Sequence, residues 1–107
     1  MTTTQLAEKL NLKKLSQGSE KKISSCYISD LLSQVMGSCG AGDVWITVQT
    51  SINTIAVAQM LDVSCVIIAE NLSMAENVIA KANAEDITVF SSEETAFNLA
   101  RKIAPLL

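Results

Sequence analysis

The sequence predicts an α/β domain of three layers, helix on sheet on helix, with a mainly parallel sheet. Three observations carry that prediction. The stretches 43–48 (DVWITV) and 63–69 (VSCVIIA) are apolar on nearly consecutive residues, as strands covered by helices on both faces are. From Gly42 onward such strands alternate with helical stretches, which favours right-handed strand–helix–strand units. A chain of 107 residues, 49% hydrophobic and 18% charged, is long and apolar enough to bury the core of one domain unaided.

In chain order, TTTQLAEKLNL opens with threonines able to cap, and Leu6, Ala7 and Leu10 follow at helical spacing, so a short helix comes first. Two short strands are expected over 12–16 and 22–28, on either side of a turn at 17–20. In SDLLSQVMG, Ser29 offers a cap, Leu31, Leu32, Val35 and Met36 share a helical face, and Gly37 stands where a helix ends. SCGAG reads as a flexible connection into the strand at 43–48.

A helix beginning near Ser51 or Ile52, the strand at 63–69, a helix from Ser73, a strand in ITVF and a last helix from Ser92, stopped by Pro105, complete the run. Ser73 with Glu76, and Ser91 with Glu94, have the S-x-x-E form in which serine oxygen and carboxylate satisfy each other's orphan backbone donors. The last two helices are therefore expected to start there. The helix from Ile52 to Leu61 is apolar almost all round and must be covered on more than one side. Either the N-terminal segment covers it or a second copy does, and a homodimer is expected.

Several function classes are excluded by composition. The net charge is −3 and no basic stripe is interleaved with aromatics, so nucleic-acid binding is not expected. No apolar run reaches the roughly 20 residues a membrane span needs, and the start lacks the pattern of a secretory signal, so a cytoplasmic protein is expected. Three cysteines without a C-x-x-C spacing, and no histidine, predict neither a metal site nor a cofactor. Cys65 reads as a core residue, and Cys39, in GSCGAG, as the thiol with the most exposed surroundings. The missing histidine and the wide spacing of Asp30, Asp43, Asp62 and Glu70 leave no general acid–base pair, so no catalytic residue is nominated and a non-enzyme is expected.

In an open parallel sheet, ligands gather outside the carboxyl ends of the strands. Three such ends follow DVWITV, VSCVIIA and ITVF, at 49–53, 70–73 and 91–94, each rich in residues that also serve as plain caps. No Walker or G-x-G-x-x-G phosphate loop is present.

The order from 23 to 103, a Gly-Asp-hydrophobic strand, a polar turn, an Ala-rich helix, an "apolar-I-I-A" strand, a helix, then ITVFSS before a final helix, resembles the DRTGG domain, a family related to the N-terminal domain of HPr kinase/phosphorylase. The resemblance implies a small three-layer α/β fold and a regulatory, non-catalytic module without a kinase domain. The whole chain, 1–107, would be one such domain, its core at about 23–103 and an N-terminal helix and short strand added at 3–16. Val48-Gln49-Thr50 stands where the family has Asp-Arg-Thr, and Glu70-Asn71 where it has Gly-Gly. Loss of the arginine removes a phosphate-matching fork. The two altered loops follow neighbouring strands, so Gln49, Thr50, Asn53, Glu70 and Asn71 are expected to face one shallow cleft suited to a neutral or cationic polar ligand. The expected function is a regulatory or sensor domain that binds a small polar metabolite or nucleotide and signals to a partner protein. The other reading is a structural dimerisation module without a ligand.

Overall fold

The computed structural model describes residues 1–107. In chain order the elements are α1 (Thr3–Leu10), β1 (Lys13–Ser16), β2 (Ser25–Ile28), α2 (Leu32–Ser38), β3 (Asp43–Thr47), α3 (Ile52–Leu61), β4 (Cys65–Ile68), α4 (Glu76–Ala84), β5 (Val89–Ser91) and α5 (Ala96–Ile103), followed by a 3-10 turn at Ala104–Leu106. The five strands form one sheet in the order β1-β5-β4-β3-β2. β2 to β5 are parallel neighbours, and β1 alone runs antiparallel, beside β5.

β2 to β5 lie side by side in chain order, so the three crossovers between them all fall on one face. Alternation along each strand divides the core accordingly. Trp45, Val66, Ile68 and Val89 face α2, α3 and α4, where Val35, Ile55, Ala58, Val78 and Ala82 meet them. Val44, Ile46, Cys65, Ile67 and Phe90 face the other way, onto Leu6 and Leu10 of α1 and Leu99 and Ile103 of α5. The three-layer α/β/α architecture and the mainly parallel sheet are as the sequence predicts.

Several local expectations need correcting. Neither serine capping box forms. α4 starts at Glu76 with Ala75 at its N-cap, and α5 starts at Ala96 with Thr95 accepting from the Asn98 amide. Ser91 is the last residue of β5, paired with Ile68 and Lys13, and the sheet holds it out of any cap. The capping box that does form is at the N-terminus, where Thr2 accepts from the Gln5 amide and the Gln5 side chain accepts from the Thr2 amide. Ser29 accepts from the Leu31 amide in a turn before α2 and does not cap the helix.

α3 is covered on more than one side, but not by the N-terminal segment, which lies on the opposite face of the sheet. α2 and α4 flank it, leaving Ile52, Ala56 and Met60, one helical stripe, exposed. The SCGAG segment is a tight turn and not a flexible connection: Asp43 Oδ2 accepts from the Gly40 amide at 2.8 Å, and Gly42 takes φ +80° with its amide on the Asp62 carbonyl. Cys39 is buried, 5% exposed, and burial together with the neighbouring Asp43 carboxylate pushes its thiol up to about 11. It is therefore a core residue and a poor nucleophile.

Candidate ligand site

The parallel strands bring their carboxyl ends to one rim. β3 and β4 are in register from Val44↔Cys65 to Thr47↔Ile68, and the Ala69 amide continues the ladder onto the Thr47 carbonyl at 3.0 Å. The loops after Thr47 and after Ile68 are thus neighbours, as the alternation of strand and helix predicts.

The β3–α3 loop is closed upon itself and upon the loop after β2. Asp30 Oδ1 accepts from the Thr47 hydroxyl at 2.8 Å and from the Val48 amide at 2.9 Å. The Gln49 side-chain amide donates to the Asp30 carbonyl at 3.0 Å, and the Thr54 hydroxyl to the Gln49 carbonyl at 3.0 Å. Gln49 is thus engaged internally, while Thr50 is half-buried and Asn53 is exposed in the first turn of α3.

The β4–α4 loop turns on two successive left-handed residues, Glu70 (φ 64°) and Asn71 (φ 56°). Their amides reach across to the loop after β5, Glu70 to the Glu94 carbonyl at 2.8 Å and Asn71 to the Ser92 carbonyl at 2.7 Å. Glycine takes such a conformation at no steric cost, whereas here two residues with side chains hold it. Both side chains are exposed.

The next loop diverges. α4 lies on one face of the sheet and α5 on the other, so the chain leaves β4 and β5 in opposite directions. Such a divergence opens a crevice at the strand ends, where an open α/β sheet binds ligands. Here it holds a groove of about 490 Å³. Asn71, Ser91 and Ser92 line it from the two loops, and Asn11 and Lys13 from the start of antiparallel β1, whose direction brings its first residues to the same rim. Across it, Lys102 of α5 donates to Glu94 Oε2 at 2.5 Å. Ser92 Oγ accepts from the Glu94 amide at 3.1 Å and shapes the loop.

Of the five expected site residues, Asn71 lines this groove, Glu70 helps to join its two loops, and Gln49 and Thr50 on the neighbouring loop, with Asn53 in the first turn of α3, lie outside it. The loops after β3 and after β4 both lead to helices on one face, so no crevice separates them. The third strand end, 91–94, carries more of the groove, and Lys13 and Asn11 were not nominated from sequence at all. What would have found them is the strand order, which alone tells where the chain changes face. No three Cys, Asp or Glu side chains come together as a metal-binding group, and no helix is long and apolar enough to cross a membrane.

No family model matches the chain, and no curated protein matches it. Among solved structures, the chain is similar to the CBS and DRTGG domains of the regulatory region of Clostridium perfringens pyrophosphatase, determined in complex with its activator diadenosine tetraphosphate. The TM-score is 0.73 at 17% sequence identity, over 94% of this chain and 45% of that one. At that identity the likeness is one of fold, and this chain spans less than half of the length of its neighbour.

Proposed function

We propose that this chain is a non-catalytic regulatory domain that binds a small polar metabolite or nucleotide in the groove at the end of β5 and signals its occupancy to a partner protein. The groove carries the reading: its volume of about 490 Å³ lies in the range of small-molecule sites, roughly 300–1,000 Å³, and its walls are amides, hydroxyls and charges. The absence of histidine favours binding over proton-transfer chemistry. A regulatory role is supported by the fold neighbour, a regulatory region determined with its activator.

Signalling follows from the connections of the groove. Its two loops are stitched by the amides of Glu70 and Asn71, and each loop leads into a helix on a different face. A ligand that draws the loops together or parts them moves α4 against α5, and an adjoining protein can read that displacement.

A thermal-shift panel of nucleotides and polar metabolites tests the reading, because any ligand of the native state raises apparent stability. At least one compound should raise the melting temperature of the native sequence and fail to do so in the Asn71→Ala/Ser92→Ala double variant. If no compound raises it, the reading falls.

A second reading, a dimerisation module without a ligand, is favoured by the exposed stripe Ile52, Ala56 and Met60 on α3, where Met60 is 66% exposed. It predicts a dimer that dissociates on dilution, is lost in Met60→Lys, and gains no stability from any compound of the panel.

A further inference from the structure

Four charged side chains line the groove, Lys13 and Lys102 against Glu93 and Glu94. Lys102 and Glu94 hold each other. The other two, Lys13 and Glu93, enter none of the ion pairs of the chain, which are confined to Lys21–Asp62, Lys81–Glu85 and Lys102–Glu94. Lys14, the neighbour of Lys13, is satisfied by Gln17 Oε1 at 2.7 Å, so the free ammonium of Lys13 is not a general property of this edge. The groove thus offers one unpaired cation and one unpaired anion.

A second observation also points to a ligand. Ser91 is 8% exposed, lines the groove, and its hydroxyl makes no hydrogen bond within the chain. No side-chain oxygen is sealed in the interior without a partner, so the open direction of this hydroxyl is the groove. A hydroxyl on so nearly buried a residue, without a partner in the chain, is left free to bond a group that enters the groove. Ser91 stands directly opposite Lys13 in the β1–β5 ladder, which sets the two side chains on one side of the sheet at neighbouring positions.

A polyphosphate needs an excess of cationic donors, and here two cations meet two carboxylates and cancel. A ligand with one anionic and one cationic group meets both unpaired charges at once. We propose that the groove takes a free α-amino acid, its carboxylate held by Lys13 and the Ser91 hydroxyl and its ammonium by Glu93. The inference rests on the regulatory reading only in taking the groove as the ligand site.

Isothermal titration and thermal shift with the common L-amino acids at millimolar concentration, and with ATP and diadenosine tetraphosphate, test it. At least one amino acid should bind, and its N-acetyl and carboxamide derivatives should not. Lys13→Met and Glu93→Gln should each weaken binding by about tenfold or more, and, both residues being exposed, leave the melting temperature of the unliganded protein unchanged. Binding that survives either substitution, or acetylation of the ligand amine, overturns the inference. If the nucleotides bind and no amino acid does, the inference falls and the regulatory reading stands. If neither class binds, and no other polar metabolite does, both fall.

Discussion

At the scale of single residues, the rim of the sheet holds backbone strain that the sequence does not relieve with glycine. Glu70 and Asn71 both occupy the left-handed region, which costs an ordinary residue roughly 1–2 kcal/mol and an asparagine less. Their amides recover part of that cost by bonding to the Glu94 and Ser92 carbonyls. Glu70→Gly should therefore raise stability by about 1 kcal/mol in urea denaturation, while Glu70→Val should lower it. Gly18 is the opposite case. A Cβ there would lie 2.5 Å from the Asp86 carbonyl oxygen and 2.8 Å from the Thr88 nitrogen, both backbone atoms of the loop to which residues 17–19 are clipped. Gly18→Ala should destabilise by about 2 kcal/mol or more, read from the same denaturation curves.

At the scale of elements, Asp30 ties the loop after β2 to the loop after β3. One carboxylate oxygen accepts from the hydroxyl of buried Thr47 and from the Val48 amide, so Asp30→Ala removes both bonds. The expected loss is about 1–3 kcal/mol in chemical denaturation, and Asp30→Asn, which keeps a carbonyl acceptor, should lose less. This element-level order was partly legible in the sequence. β3 and β4 announce themselves because burial on both faces demands apolar residues without alternation, and Trp45 in the middle finds its one hydrogen bond on the Ser29 carbonyl. The helix starts were misread because S-x-x-E describes a local bargain that pairing of β5 overrides at Ser91, and because the chain after β4 first seats Met74 in the core before α4 begins. Cys39 was misread because a glycine-rich sequence looks open, whereas Asp43 folds that turn back on itself.

At the scale of the molecule, the groove is a product of topology. Four parallel strands in consecutive order send every crossover between them to one face, and from β2 onward the chain changes face only after β5. No local pattern records that event, so the rim of β3 and β4 looks as promising in sequence as the rim of β5. The antiparallel β1 returns Asn11 and Lys13 to that rim, so the N-terminal segment lines the groove as well as covering the sheet. The apolar interior also makes stability depend on alkaline pH. Burial raises Cys65 to about 12, and burial with the Asp43 charge raises Cys26 to about 11, from an ordinary value of 9.0. A proton held more tightly in the folded state leaves stability intact below about pH 9 and removes it progressively as pH rises toward those values. Denaturation midpoints measured from pH 8 upward should fall in that window, and less steeply in Cys65→Ala than in the native sequence.

On the proposed function, ligands enter where the β4–α4 and β5–α5 loops part. A ¹H–¹⁵N NMR titration of the native chain, with a mixture of free amino acids, nucleotides and other polar metabolites, tests it most directly. The amides of Asn11, Lys13 and Asn71 and those along 91–94 should shift. Shifts confined to the loop of Gln49 and Thr50 or to the outer stripe of α3, or no shifts at all, would contradict it.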